Sequence, residues 1–398
     1  MASVSSRVQA IKPSPTLAVT NKAAQLCAQG FDVIGLGAGE PDFDTPDHIK
    51  AAAIEAIHSG QTKYTAVDGT DELKQAVIDK FKRDNGLTYT PAQVLVSCGG
   101  KQSFFNLCLA LLNPKDEVVI PAPYWVSYPD IVKIAEATPV IITADQTQSF
   151  KITPQQLASA ITPKTRLVVI NSPSNPTGVA YTETELAGLG DVLRQHPHVF
   201  IATDDMYEHM IWNKSALPFK NILNTCPDLY DRTFVLNGVS KAYSMTGWRI
   251  GYAAGPVEVI KAMKTIQSQS TSNPCSIAQA AACAALNGDQ SFVSMMCNAF
   301  HERHDMLVAE LNKISGISCI PADGTFYLFP NVAGLMKQLD IATDLVLAER
   351  LLTEAQVALV PGSAFGLDGH MRLSFATSET QLRKALDRIK QFVEKNLA

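Results

Sequence analysis

The feature that most constrains this chain is its rhythm. Short, almost wholly apolar runs alternate with longer stretches of helical periodicity. The runs expected as strands are Val94 to Ser97, Glu117 to Ile120, Val140 to Thr143, Leu167 to Asn171, Val199 to Thr203, Thr233 to Leu236 and Ile250 to Ala254. Between them lie helix-like stretches such as Ser103 to Leu112, Thr182 to Arg194 and Val257 to Gln267. This alternation predicts an α/β fold, a mostly parallel sheet covered by helices. The strings "RLVVIN" and "VFIAT" lack the polar alternation of a half-exposed strand, so both of their faces are expected to be buried.

The rhythm breaks after about Asp289. A long helical stretch, Ser291 to Lys313, gives way to "GISCI", "GTFYLF", another helix, "VALVPGSAF", "MRLSFA" and a last helix. Strands and helices mix there without strand-helix-strand regularity. We expect two domains in the 398 residues: a large one over 47–290, and a smaller α+β one built from 1–46 and 291–398.

Composition excludes several classes of function. The formal net charge is −5 and no block of Lys or Arg stands out, which argues against nucleic acid and anionic membranes as partners. No apolar run approaches membrane-spanning length. The N-terminal "MASVSSRVQAIKPSP" lacks the apolar stretch of a secretory signal. The eight cysteines form no Cys-x-x-Cys pair and no zinc spacing with histidine, so reduced thiols, no metal and a cytoplasmic setting are expected.

The strongest local string is "NGVSKAYSMTGWRIGY", Asn237 to Tyr252. A strand ends, a serine and a lysine follow, and an arginine opens the next strand. A lysine at a strand end, facing a cavity, can form a Schiff base once desolvation lowers its pKa. Ser240 and Arg249 flank it and suit a phosphate. In "LVSCGGKQSFF" a strand meets a glycine pair and a helix start, where exposed backbone N–H groups favour an anion. Gln102 stands where a Walker loop needs Ser or Thr. "GLGAGEPDF" imitates a dinucleotide fingerprint, but Pro41 and Pro46 interrupt the helix that fingerprint requires. "MRLSFA" places Arg372 in an otherwise apolar strand, and a buried arginine needs an anionic partner.

Gly238, Ser240, Lys241, Ser244, Gly247, Arg249 and Gly251 together resemble the lysine-attachment signature of class I pyridoxal-phosphate-dependent aminotransferases. The resemblance runs from "AGEPDFDTP" to "RLSFATSE" and is nearest to the bacterial-type aspartate aminotransferases of subgroup I-gamma. It implies fold type I, with a seven-stranded sheet. It implies pyridoxal 5'-phosphate held as an imine on Lys241. The phosphate would lie on Gly100, Lys101, Ser240 and Arg249, with Tyr64 reaching the phosphate of a neighbouring subunit. Trp125 would stack on the ring. Asp204 would pair with the ring nitrogen, Asp205 being its competitor. Asn175 and Tyr207 would reach the phenolic oxygen. Arg372, Asn175, Trp125 and Gly39 would meet the substrate, and Lys12, Thr16 and Lys101 are candidates for a distal carboxylate.

The implied reaction is ping-pong transfer of an amino group between L-aspartate and 2-oxoglutarate, in a homodimer with shared active sites. Prephenate or aromatic substrates, and lyase chemistry on the same fold, are the alternatives. A regulator carrying an aminotransferase-like module is the remaining one, and it would need an added DNA-binding domain.

Overall fold

The computed structural model describes residues 4–11, 13, 15–212 and 218–397, without the side chains of 15–17. The strands are β1 (Ile34–Gly35), β2 (Val94–Ser97), β3 (Glu117–Ala122), β4 (Thr138–Thr143), β5 (Thr165–Asn171) and β6 (Phe200–Asp204). They continue with β7 (Thr233–Gly238), β8 (Gly251–Ala254), β9 (Tyr327–Leu328), β10 (Val357–Ala358), β11 (Val360–Pro361) and β12 (Met371–Ser374). Seven of them form one sheet in the order β2-β8-β7-β6-β5-β3-β4. All its neighbours are parallel except β8, which runs against both β2 and β7.

Alternation along the strands shows why the sheet is covered on both sides. Val94 and Val96 join one apolar cluster, and Leu95 between them joins another. Val168 and Ile170 face the first cluster, and Leu167 and Val169 face the second. Successive side chains of a strand point to opposite faces. With both sets apolar, each face must be roofed by helices, and each fully buried aliphatic side chain contributes about 1.5–3 kcal/mol. On one face the helices Gly100–Leu111 and Val257–Ser268 pack together; on the other, Asp47–His58 and Asp71–Lys80 pack on Ser276–Asn287. Thr182 starts the helix Glu183–Arg194 with a capping box, its hydroxyl accepting from Glu185 N while the Glu185 carboxylate accepts from Thr182 N.

A third large cluster gathers Met296, Phe300 and Leu307 of the helix Ser291–Leu311, Leu382 and Leu386 of Glu379–Leu397, and residues of β9, β10 and β12. Here β11, β12 and β9 form a three-stranded antiparallel sheet, and β1 pairs in parallel with β10. The string "GISCI" is not a strand, contrary to expectation: only Ser318 pairs, in an isolated bridge with Asn331. "FDVI", the strand-like string before the glycine cluster of "GLGAGEPDF", contributes only Ile34 to β1. No helix among the described residues is long and apolar enough to cross a membrane.

Candidate active site

The large sheet delivers its chemistry along one edge. The parallel strands β2, β3, β5, β6 and β7 end there, leading to Gly100, Trp125, Asn175, Asp204 and Lys241 in turn. Because β8 is reversed, its start rather than its end lies on this edge, and that start follows Arg249. Ligands of open α/β sheets bind outside the carboxyl ends of the strands. A cavity of about 300 Å³ lies there, and Gly39, Lys101, Tyr207, Ser240 and Arg372 join its lining.

Lys241 Nζ donates to the carbonyl of Gly39 at 2.6 Å. Burial lowers the pKa of this amine to about 8; Arg249 and Arg372 press it the same way, and Glu40 and Asp204 oppose them. A neutral, nucleophilic amine is therefore reached near neutral pH, whereas an exposed lysine holds its proton to about 10.4.

Asp204 is the acid on the cavity. Tyr128 Oη donates to its carboxylate at 2.5 Å and the Met206 amide donates at 3.3 Å. Burial pushes the carboxyl up, while those two bonds and the charge of Lys241 pull it down. Asp205 lies outside the lining, holding Thr203 Oγ1 at 2.6 Å and Asn221 Nδ2 at 2.8 Å. Burial and the neighbouring Glu208 push its carboxyl up to about 7.

Asn171 accepts from the Asn175 amide at 2.9 Å and donates to the Asp204 carbonyl at 2.9 Å, bracing the two loops against each other. Tyr207 and Tyr327 share a hydrogen bond of 3.1 Å. Trp125 meets Tyr128 edge-on at 5.2 Å, and Lys101 Nζ lies 5.3 Å from the indole.

Arg372, in β12, is 2% exposed. It donates to Asn175 Oδ1 at 3.1 Å and to the Gly37 carbonyl at 2.7 Å, and its Nε is buried without a partner. Tyr327 and Phe365 flank the guanidinium at 4.6 and 4.9 Å. No carboxylate among the described residues pairs with it. A buried cation held only by neutral acceptors has one site left for an anion, and the cavity is where an anion can come from.

The opposite pole is the start of the helix Gly100–Leu111, where Gly99 (φ 89°) stands at the cap with no side chain to satisfy the first N–H groups. Arg249 lies against that turn: a Cβ on Gly99 would come within 2.3 Å of its Nη2, and one on Gly251 within 2.3 Å of the Gly100 amide. Its guanidinium donates to Thr246 O at 2.8 Å and Cys98 O at 3.3 Å, again without a carboxylate. An anion cradle, an amine of lowered pKa, a buried acid and a second anion site fit pyridoxal phosphate and a substrate carboxylate in charge and in donor set.

Tyr64 is 92% exposed and outside the cavity of this single chain. Lys12 and the side chain of Thr16 lie outside the described residues. Tyr128, Tyr327, Asn171 and Met206 belong to the site but carried no signal of their own in the sequence. His301, His304 and Asp305 cluster away from the cavity. Ala322 N donates to His304 Nε2 at 2.9 Å, so Nδ1 keeps a proton for Asp305 and has no lone pair for a metal.

Residues 32–389 match the model of the family aminotransferase class I and II. An aspartate/prephenate aminotransferase of Nitrosomonas europaea is 60% identical over 97% of this chain and 98% of its own. An aspartate aminotransferase of Rhizobium meliloti is 50% identical over 96% of this chain and 94% of its own. In crystal structures, the Rhizobium meliloti aspartate aminotransferase matches with a TM-score of 0.95 at 49% identity, covering 99% of each chain. That of Thermus thermophilus with maleate matches at 0.92 and 43%, covering 98% of this chain and 100% of its own. With this fold, this cavity and these relatives, the chain belongs to the class I and II aminotransferases, enzymes that use pyridoxal 5'-phosphate.

Proposed function

We propose that this enzyme transfers an amino group reversibly between L-aspartate and 2-oxoglutarate in a ping-pong cycle. The observation that carries the reading is Arg372: a buried guanidinium without an acidic partner among the described residues, opening on the same cavity as the Lys241 amine. Aspartate stands in the names of both relatives, which supports the choice of substrate, and prephenate stands beside it in that of the Nitrosomonas europaea relative.

Arg372 and Asn175 would grip the substrate α-carboxylate, with Gly39 at their side. Gly100, Lys101, Ser240 and Arg249 would hold the cofactor phosphate, Trp125 would lie on the ring, and Tyr207 would reach the phenolic oxygen. Bound there, pyridoxal phosphate supplies a carbonyl carbon that condenses with amines and a ring that accepts electrons. Asp204 would pair with the ring nitrogen; burial, the largest influence on its carboxyl, pushes it up, and the bonds from Tyr128 and Met206 and the charge of Lys241 oppose that rise. With the group bound, Lys241 Nζ would be placed to take the proton from the substrate α-carbon as a base and to return it as an acid. Desolvation makes that amine a base at working pH. Lys12 and Thr16 are the proposed partners of the distal carboxylate.

The division into 47–290 and 1–46 with 291–398 is proposed on the apolar clusters: two lie in 47–290 but for Val293, and a third lies outside it but for Tyr207 and Met210. A cytoplasmic homodimer is proposed with it, Tyr64 of each subunit serving the other's phosphate site. A second reading, turnover of prephenate, is favoured by one observation. Beside Lys101 and Ser127 a further chamber of about 490 Å³ is lined by Phe105, Ile131 and Ile134, giving room for a ring. Steady-state assays of the purified holoenzyme with aspartate, prephenate and aromatic donors separate the two. Absence of aspartate turnover overturns the main reading.

A further inference from the structure

Beneath the cavity lies a buried charged cluster that the steps above leave unused. Lys80 ends the helix Asp71–Lys80 and is 0% exposed. It forms an ion pair with Glu208, itself 4% exposed. Lys80 Nζ also donates to Asn85 Oδ1 at 2.7 Å. An α-helix brings residues three or four apart onto one face, whereas these two are five apart. The π turn Phe81–Asn85 brings them together, and such turns recur where function has shaped a helix.

Glu208 is shared further. One of its oxygens accepts from Asn85 Nδ2 at 2.6 Å and the other from Asn237 Nδ2 at 2.7 Å. Glu208 closes the turn that follows β6, its amide donating to Asp205 O at 3.0 Å, and that turn carries Asp204 and Tyr207. Asn237 belongs to β7, the strand that leads to Lys241. One carboxylate thus ties the acid-bearing turn to the lysine-bearing strand and to a helix end. Asp84 lies 3.9 Å from Lys80 and 3.1 Å from His209 Nε2, with Arg83 against it at 2.7 Å. His209 Nδ1 is 3.8 Å from Glu208, and Asp205 lies in the same turn. A buried ion pair gives little net stability over apolar side chains of the same shape. What this one supplies is a fixed orientation.

We propose that Glu208, braced by Lys80, Asn85 and Asn237, is a positioning residue that sets Asp204 and Tyr207 relative to Lys241. The proposal rests on the cofactor reading above. Its test is the double variant Lys80→Met/Glu208→Gln, which removes both charges and leaves an amide oxygen for Asn237. Reconstituted with pyridoxal phosphate, the parent enzyme should show a near-visible absorbance band that titrates with pH.

In the variant we expect the midpoint to move by about half a pH unit or more. We also expect kcat to fall on the order of 100-fold, with little change in the KM for aspartate. Asn237→Ala, which cuts the strap to β7 together with the bond that Asn237 Oδ1 accepts from the Gly238 amide, should shift the midpoint as well, and it carries the test if the double variant does not fold. A folded variant of either kind with the parent's midpoint and kcat overturns the proposal, whatever its melting temperature. A parent enzyme that shows no such band overturns the cofactor reading instead.

Discussion

At the scale of single residues the site is a set of unpaid charges, and each predicts a measurement. Burial lowers the Lys241 amine to about 8, against an ordinary lysine value of 10.5. Between those two pH values the folded protein has lost this proton and the unfolded chain still binds it, so stability rises with pH across the window. Below pH 8 the buried charge opposes folding in full. Cofactor-free Lys241→Met should therefore melt above its parent at pH 7, and the gap should shrink towards pH 10.5 in parallel melting curves. Arg372→Lys keeps the charge and loses the fork. The KM for aspartate should rise about 10- to 100-fold, as expected for losing a charged hydrogen bond of roughly 1.5–3 kcal/mol. An unchanged KM would show that the α-carboxylate binds elsewhere.

Local elements decide where those residues stand. Gly99 combines a left-handed φ of 89° with the contact of Arg249 on its α-carbon. Gly99→Ala would strain the turn by about 1–2 kcal/mol and displace the guanidinium. Titration with pyridoxal phosphate, followed by absorbance, should show affinity at least about tenfold lower, while apo stability falls only by that strain. How much of this was legible in the sequence differs by element. The strands of the large sheet were, because runs such as Val94 to Ser97 are apolar on both faces. β5 begins earlier than expected, at Thr165, because a polar threonine is buried there at 1% exposure and paired. The helix expected from Ser103 starts at Gly100, since its first turn is the glycine cradle itself. "GISCI" misled because its alternation looks like a strand, while only one of its residues finds a partner. The residues of the lysine and arginine motifs were legible because they are contiguous. Tyr128 was not, since its partner Asp204 lies 76 positions away and only folding joins them. Glu208 was in plain view in "ATDDMYEH", but its partner Lys80 sits in an ordinary helical stretch.

For the molecule as a whole, the exposure of Tyr64 at 92% is the observation with the widest reach. A tyrosine bare in one chain and expected at a phosphate is what the proposed second copy would cover. Sedimentation of the holoenzyme should give twice the mass of the chain. Tyr64→Phe should weaken pyridoxal phosphate binding about tenfold, the worth of one hydrogen bond to a charged group, without altering the mass. A single-chain mass with full activity would sink the shared-site reading. The reversed strand β8 has one more consequence. Lys241 and Arg249 lie on a single hairpin between β7 and β8, so the proposed hooks for the two ends of one small molecule share one mount. Arg372 hangs from a different sheet. Any rocking of one part of the protein against the other leaves the spacing of those hooks untouched and alters only how far away the substrate's acid group is held. Opening and shutting of that kind would exchange amino acids while the vitamin-derived passenger stays seated.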